Sequence, residues 1–571
     1  MKKYVALLLA LAICLGMLAG CGSTAASSAA PAEAPASAGE EAAAAPAEEA
    51  APAAPAEPQV EVVEQEALPA EEEIAVPTEP VTVTIGSTYP RFVGVFDMMQ
   101  IANDQLALPA GYLAFDTLIR MDVLEDGTED YYSDILEDYY VTDDHKSLVF
   151  VLKPGVTFSN GEEMDGYDII WSLQRKGSHP RLMGDYQMFD FENATVDGYT
   201  TTIPLNSYRG DWRVIIEAAV IMNKDWIEEH GGDNFDYTDP TLVCGSGPYQ
   251  VTEYVADDHV TYEKREDWWQ KDTASAAVAQ PQTIITKSYA DASTMLVDYQ
   301  NGVLDAIMGI SETQYTQIQN DPALGTAAAK SSKSVVELIL DVDNTPELAD
   351  VELRKAIAMG TNIEDLAIVG YGALGRLPIG MFSADSQFAS EGYTFEYNPE
   401  EAAKMVKDLG YEGLTLPFIC DTGTADMAEV WKEQMRNIGI NIDLQPYDVM
   451  TCIQYWLTPG ATAFQFQGSD NANIPGDPST LLNNMCETTD LACMRKQGAE
   501  WNDIVIRGRN GATTEERREI YKELQQYNLD NVYCVPVVEW LSAYAYGANG
   551  VVKDMIFVAP ESCNLRRILV G

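Results

Sequence analysis

The sequence predicts an α/β fold built from more than one lobe. Three observations carry that reading. The chain has 571 residues, more than one small domain uses. Between Asn398 and Leu444, helix and strand signals alternate in the order helix, strand, helix, strand. Outside that unit, capped helices and short alternating strands recur, and 46% hydrophobic residues are enough for large cores.

The elements follow in chain order. Lys2 and Lys3 precede an apolar run from Val5 to Ala19. That run is short for a membrane span and suits the core of a signal peptide. It ends in Leu18-Ala19-Gly20-Cys21, followed by Gly22 and Ser23, which resembles the lipobox of bacterial lipoproteins. The resemblance implies a signal peptide of residues 1–20, cleavage before Cys21 and acylation of that cysteine. No later apolar run is long enough to span a bilayer, so the mature chain is expected to be anchored by lipid. Residues 22–80 hold thirteen Glu and no Lys or Arg among Ala, Pro, Ser and Val. Such a segment cannot bury a core, so residues 21–80 read as a lipidated Cys and a disordered tether. Its reach lies between about 40 Å as a coil and about 180 Å as polyproline II.

The body opens with a strand, Val81 to Ile85, closed by Gly86. Asp350 caps a helix over Val351–Gly360, with Leu353, Ala356 and Ile357 inward. Asn398 is an N-cap and Pro399 the first helical residue; Ala402, Met405, Val406 and Leu409 follow at helical spacing until Gly410. The strand Leu414–Ile419 comes next. A helix then carries Met427, Val430, Trp431, Met435 and Ile438 inward, ends at Gly439, and yields to the strand Ile440–Leu444. Strand, helix, strand at this spacing is a βαβ crossover on a parallel sheet. Thr513 or Thr514 caps a last helix to Leu529, with Ile520, Tyr521, Leu524 and Tyr527 inward.

Composition excludes several functions. A formal charge of -54 opposes nucleic-acid binding, which needs clustered Lys and Arg, and an acidic surface keeps a secreted protein soluble. Nine cysteines and four scattered histidines contain no C-x-x-C, so no metal site is expected. Cys486 and Cys493 are spaced to close a small disulfide loop outside the cell. No G-x-S-x-G, no H-E-x-x-H and no phosphate loop occur, so no catalytic residue and no cofactor is assigned.

One stretch invites chemistry: Phe466-Gln467-Gly468-Ser469-Asp470-Asn471, then Gly476-Asp477-Pro478. Ser-Asp-Asn occurs in penicillin-binding enzymes, but no Lys follows a Ser by three residues and no later Lys-Thr-Gly exists. A calcium loop starting at Asp470 would put Ala472 and Ile474 at ligand positions. Two readings stay open: a turn Asp bonded to its own backbone, and a strand-end carboxylate facing a ligand's ammonium group.

The run "DDHKSLVFVLKPGVTFSNGEEMDGYDIIWSLQR", Asp143 to Arg175, resembles the signature of family 5 extracytoplasmic solute-binding proteins, the peptide/nickel group of ABC transporters. "CGSGPYQVTEYVADDHVTYEKREDWW" from Cys244, "DASTMLVDYQNGVLDA" from Asp291, the Asp350–Gly372 run and "YCVPVVEW" from Tyr533 resemble later segments of the same family, in order. Thr361-Asn362 departs from the family's Asp-Arg pair.

The resemblance implies a bilobal periplasmic-binding-protein-like fold with a hinge and an extra subdomain. Lobe I would span residues 81–334 with an inserted subdomain at about 116–205. Lobe II would span 335–535, and 536–571 would return to lobe I. Crossings are expected near Val335–Asp341 and Cys534–Trp540. The implied function is a lipid-anchored, monomeric protein on the extracytoplasmic face. It would bind oligopeptides between closing lobes and deliver them to an ABC permease and its ATPase. Kept beside it are a non-peptide solute such as an oligosaccharide or metal chelate, and a sensor or chaperone-like lipoprotein. In peptide-binding members an Asp shortly before an acidic-Pro turn holds the peptide ammonium. Asp470 matches best, and Asp477 is the alternative because Ala472–Pro475 resemble an insertion. The implied ligand set is Asp470, Ser469, Asn471, Phe466, Tyr89 and Arg91. The Arg that clamps a dipeptide carboxylate is replaced by Cys420-Asp421-Thr422-Gly423, with Arg91, Arg209 and Arg376 as substitutes.

Overall fold

The computed structural model describes residues 79–88, 112–123, 129–178, 183–217, 219–271, 281–421, 423–448, 451–452, 455, 464–468, 477–479, 482, 498–559 and 562–571. The expected signal peptide, Cys21 and the expected tether lie outside them, as do Cys486 and Cys493.

One long sheet organises the molecule. The strands along its main path are β1 (Thr82–Ser87), β2 (Tyr249–Val255), β3 (His259–Lys264), β4 (Thr283–Ser288), β5 (Ala306–Met308), β6 (Thr326–Ile339), β7 (Thr415–Cys420), β8 (Asn441–Pro446), β9 (Gln465–Gly468) and β10 (Cys534–Tyr546), and the short strand Gly375–Arg376 pairs with β10 off that path. They lie in the order β8-β7-β9-β6-β10-β5-β1-β4-β3-β2. At one end β1 pairs in parallel with β4 and β5; at the other, β7 pairs in parallel with β8 and β9.

Only β6 and β10 run through both halves. Thr326–Ser331 pairs with Leu541–Tyr546, and Val335–Ile339 pairs with Cys534–Glu539. Between them the register slips, and Lys333 takes a left-handed φ of 52°. Apolar residues divide at that slip. Ala327, Ala543 and Ala545 pack with Met295, Tyr299 and Ile318, whereas Val336, Leu338, Val537 and Val538 pack with Leu353, Phe418 and Trp431. These are the two α/β lobes and their double crossing. The slip falls between Ser331 and Val335 on β6 and between Glu539 and Leu541 on β10, just before Val335–Asp341 and at the end of Cys534–Trp540; most of both segments is core of the second lobe.

A further core gathers Leu118 to Cys244 around a four-stranded antiparallel sheet drawn from residues 136–204. The helix Gly166–Gly177 leans on it. Asp165 caps that helix in a capping box with Asp168. Burial pushes the Asp168 carboxyl up to about 6.

Local signals placed most elements. Asn398 accepts from the Glu401 amide at 3.2 Å at the head of the helix Pro399–Asp408, and Gly410 adopts φ 82° after it. Asp350 caps its helix as expected, and of Thr513 and Thr514 it is Thr513 that caps the last one. Gly86 is a correction: it does not close β1, which continues to Ser87. A Cβ at Gly86 would stand 2.6 Å from Leu304 Cδ1, so its glycine admits close packing inside the strand.

Candidate ligand site at the carboxyl ends of three parallel strands

In open α/β sheets, ligands bind outside the carboxyl ends of parallel strands. In the second lobe β7, β8 and β9 run the same way, so Cys420-Asp421, Tyr447-Asp448 and the chain leaving Gly468 emerge at one edge. The Tyr447 amide donates to the Cys420 carbonyl at 2.9 Å, which ties two of these ends together. Tyr447 stacks on Tyr455 with ring centroids 5.1 Å apart. Cys420 and Cys452 are buried free thiols, and burial pushes both up, Cys452 to about 11. Neither is a reactive thiolate.

Asp421 stands near the place of the family's carboxylate-clamping Arg. Its Oδ1 accepts from the Gly423 and Thr424 amides at 2.7 and 3.1 Å, so it shapes the turn into the helix Ala425–Asn437.

The expected ligand residues part company here. Ser469, Asp470, Asn471, Tyr89 and Arg91 lie outside the described residues. Phe466 is 3% exposed and meets Phe418 and Trp431 edge-to-face at 5.2 and 5.8 Å. It is a core side chain of the second lobe, because alternation along β9 turns it inward. Asp477 is also buried, in a two-pronged pair with Arg517 at 2.9 Å for both contacts. Its carboxylate already has its cation.

The substitute arginines are likewise engaged. Arg209 is buried between Asp185 at 2.5 Å and Asp211 at 2.6 Å. Arg376 bonds Asp385 at 2.7 Å and also Glu539. Its group is the polar cluster that sequence reading missed. Glu539 is wholly buried at the crossing of β10 and accepts from Ser331 Oγ at 2.6 Å, the Ala384 amide at 3.0 Å, Ser383 Oγ and Arg376. The available signal was a single acid inside the apolar run Val535–Trp540. A charge there is stable only with partners that sequence distance hides.

Among the described residues no group of three His, Cys, Asp or Glu is arranged to hold a metal, and no helix is long and apolar enough to cross a membrane.

Two α/β lobes joined by two crossing strands make this a bilobal α/β protein. Comparison with known proteins gives the family. Residues 130–492 match the model of bacterial extracellular solute-binding proteins, family 5. The chain belongs to that family, whose members bind solutes without transforming them. It is 24% identical over 445 residues to a probable peptide-binding protein, YejA, of Agrobacterium fabrum, covering 64% of this chain and 71% of that one. Its fold matches a substrate-binding protein, CtaP, of Listeria monocytogenes with a TM-score of 0.72 at 17% identity, covering 86% of this chain and 99% of that one. It also matches a dipeptide-binding protein of Pseudoalteromonas in complex with Met-Leu, with a TM-score of 0.70 at 15% identity, covering 86% and 100%.

Proposed function

We propose that this protein is a monomeric lipoprotein, held to the extracytoplasmic face by acylated Cys21, that captures peptides between its lobes and presents them to an ABC permease. Closure is a hinge motion about β6 and β10, favoured by a ligand that touches both lobes.

One observation carries the reading. Buried Phe466 and buried Asp477 flank positions 469–476 in the sequence, and β9, which ends at Gly468, runs parallel to β7. Asp477 is neutralised by Arg517, so Asp470 is the acid of that segment left to meet a ligand's ammonium group. The peptide-binding relatives and the Met-Leu complex support peptides as the ligand class.

Native mass spectrometry of freshly purified protein tests this, with a thermal-shift assay against a mixed peptide library. Co-purified peptides, or a raised midpoint that Asp470→Ala abolishes, are the expected results. No peptide in the preparation, together with no shift in the library, overturns the peptide reading.

A further inference from the structure

The ends of β7 and β8 carry a charge that selects their ligand. A helix N-terminus beside a strand end ordinarily attracts anions, because its free amides amount to about half a positive charge. Both helix starts at this edge are already filled. Asp421 follows β7 directly, and its Oδ1 takes the Gly423 and Thr424 amides ahead of the helix Ala425–Asn437. Asp448 comes two residues after β8 and takes the Thr451 amide on Oδ1 at 3.0 Å and the Thr451 hydroxyl on Oδ2 at 2.6 Å. A full negative charge outweighs about half a positive one, so the edge is net negative.

The flanking sequence offers no base to cancel it. Residues 420–426 and 446–455 hold Asp421, Asp426 and Asp448 and no Lys, Arg or His. Among the described residues, Asp421 Oδ2 has no hydrogen-bond partner and no ion pair. Both strand-end acids act on one neighbourhood: burial first, then charges that include Asp421 and Asp448, raise the Cys452 thiol.

An aromatic face lies alongside. The Tyr447 and Tyr455 rings stack at 29° with centroids 5.1 Å apart, and the Tyr455 hydroxyl donates to the Tyr447 hydroxyl at 3.3 Å. Both side chains are half-buried, so part of the pair is open to solvent. The Tyr447 amide bonds the Cys420 carbonyl, one residue before Asp421. A tyrosine face attracts a cation through its quadrupole, and a nearby carboxylate adds a charge-assisted hydrogen bond.

We propose that Asp421 and the Tyr447–Tyr455 pair form a subsite for a basic side chain of the ligand, a lysine ammonium or an arginine guanidinium, so that the preferred peptides are cationic. The ligand class rests on the function proposed above; the preference for a cation rests on the strand ends. The formal charge of -54 adds to it by drawing cations toward the protein.

Calorimetry on the full chain tests it with pentaalanine, the five peptides that carry one lysine at each position in turn, and their glutamate counterparts. The best lysine peptide should bind about tenfold more tightly than pentaalanine, and its glutamate counterpart more weakly than pentaalanine. The gap should narrow at high salt. Asp421→Asn keeps an oxygen for the Gly423 and Thr424 amides and removes the charge, so it should bring the lysine peptide level with pentaalanine. Tyr455→Leu should weaken the lysine peptide severalfold. Equal binding of pentaalanine and the lysine series by wild type overturns the cation subsite and leaves the peptide reading standing. A lysine preference that survives both substitutions overturns its placement here, and Tyr455→Leu decides alone if Asp421→Asn does not fold. If wild type binds none of these peptides, the peptide reading falls and spermidine becomes the probe. A raised thermal midpoint that either substitution abolishes then upholds the cation subsite; no shift, or a shift that both variants keep, overturns it.

Discussion

Asp477 and Arg517 face each other across 40 residues of sequence with both carboxylate oxygens matched to both guanidinium nitrogens at 2.9 Å. Ser479 Oγ bonds both partners, and the Phe388 ring lies 4.7 Å from the guanidinium carbon. The pair is dry, so removing one partner strands the other's charge. Asp477→Asn should cost about 3–5 kcal/mol of stability in urea titration. Asp470→Asn should cost less than about 0.5 kcal/mol there, yet weaken peptide binding. A reversal of the two effects would exchange the roles given to these acids.

Phe466 has a packing role. Phe466→Ala opens a hole beside Phe418 and Trp431, and thermal or chemical unfolding should register a loss of about 3–5 kcal/mol. Phe466→Leu should recover most of it, because shape and apolarity matter there more than ring chemistry. A stable Phe466→Ala protein with altered ligand choice would contradict this.

Acid should act through Asp211. Burial alone would raise its carboxyl, but the Arg209 charge and hydrogen bonds more than offset this and hold it below the ordinary range. A depressed folded value means stability is present above the ordinary carboxylate value near pH 4 and is lost as pH falls through the folded one. The stability gap between wild type and Asp211→Asn should be full from pH 5 to 7 and narrow below about pH 4. A gap constant down to pH 2 would remove the ion pair from the account.

Asp168 should show the opposite sign. Burial raises it to about 6, so its contribution is present below about pH 4 and fades as pH rises through 6. The stability of wild type relative to Asp168→Asn should fall across that window by up to about 3 kcal/mol. Denaturant midpoints at closely spaced pH values read this directly.

Membrane attachment should hang on Cys21 alone. Cys21→Ala should abolish labelling by a clickable palmitate analogue and move the protein from membrane to soluble fractions. Continued membrane association without label would require another anchor.

What the sequence makes legible depends on distance along the chain. The Asn398 and Asp350 caps are legible in the sequence, and Thr513 is one of the two it offers, because a cap bonds a backbone amide two or three residues away. Gly86 was misread, since glycine as a stop and glycine as a packing gap look alike until Leu304 is placed beside it. Phe466 was assigned to the ligand because β9 is flanked by candidate residues, and the face a strand residue takes depends on its neighbours in the sheet. The Glu539 cluster was invisible for a related reason. Its partners Ser331 and Ser383 lie 208 and 156 residues away.

Arg566 reaches back 450 residues to bond Asp116 at 2.6 Å, and Leu565, Ile568 and Val570 share a core with Val83 and Ile85. The order in which the chain is made therefore matters. A ribosome releases Val336 to Val538, which hold the core of the second lobe, while the first lobe still waits for the residues that seal it. The second lobe can assemble as an uninterrupted piece. The first remains an unclosed shell until residues 565–570 have been made, so its folding waits on a segment far along the chain from β1.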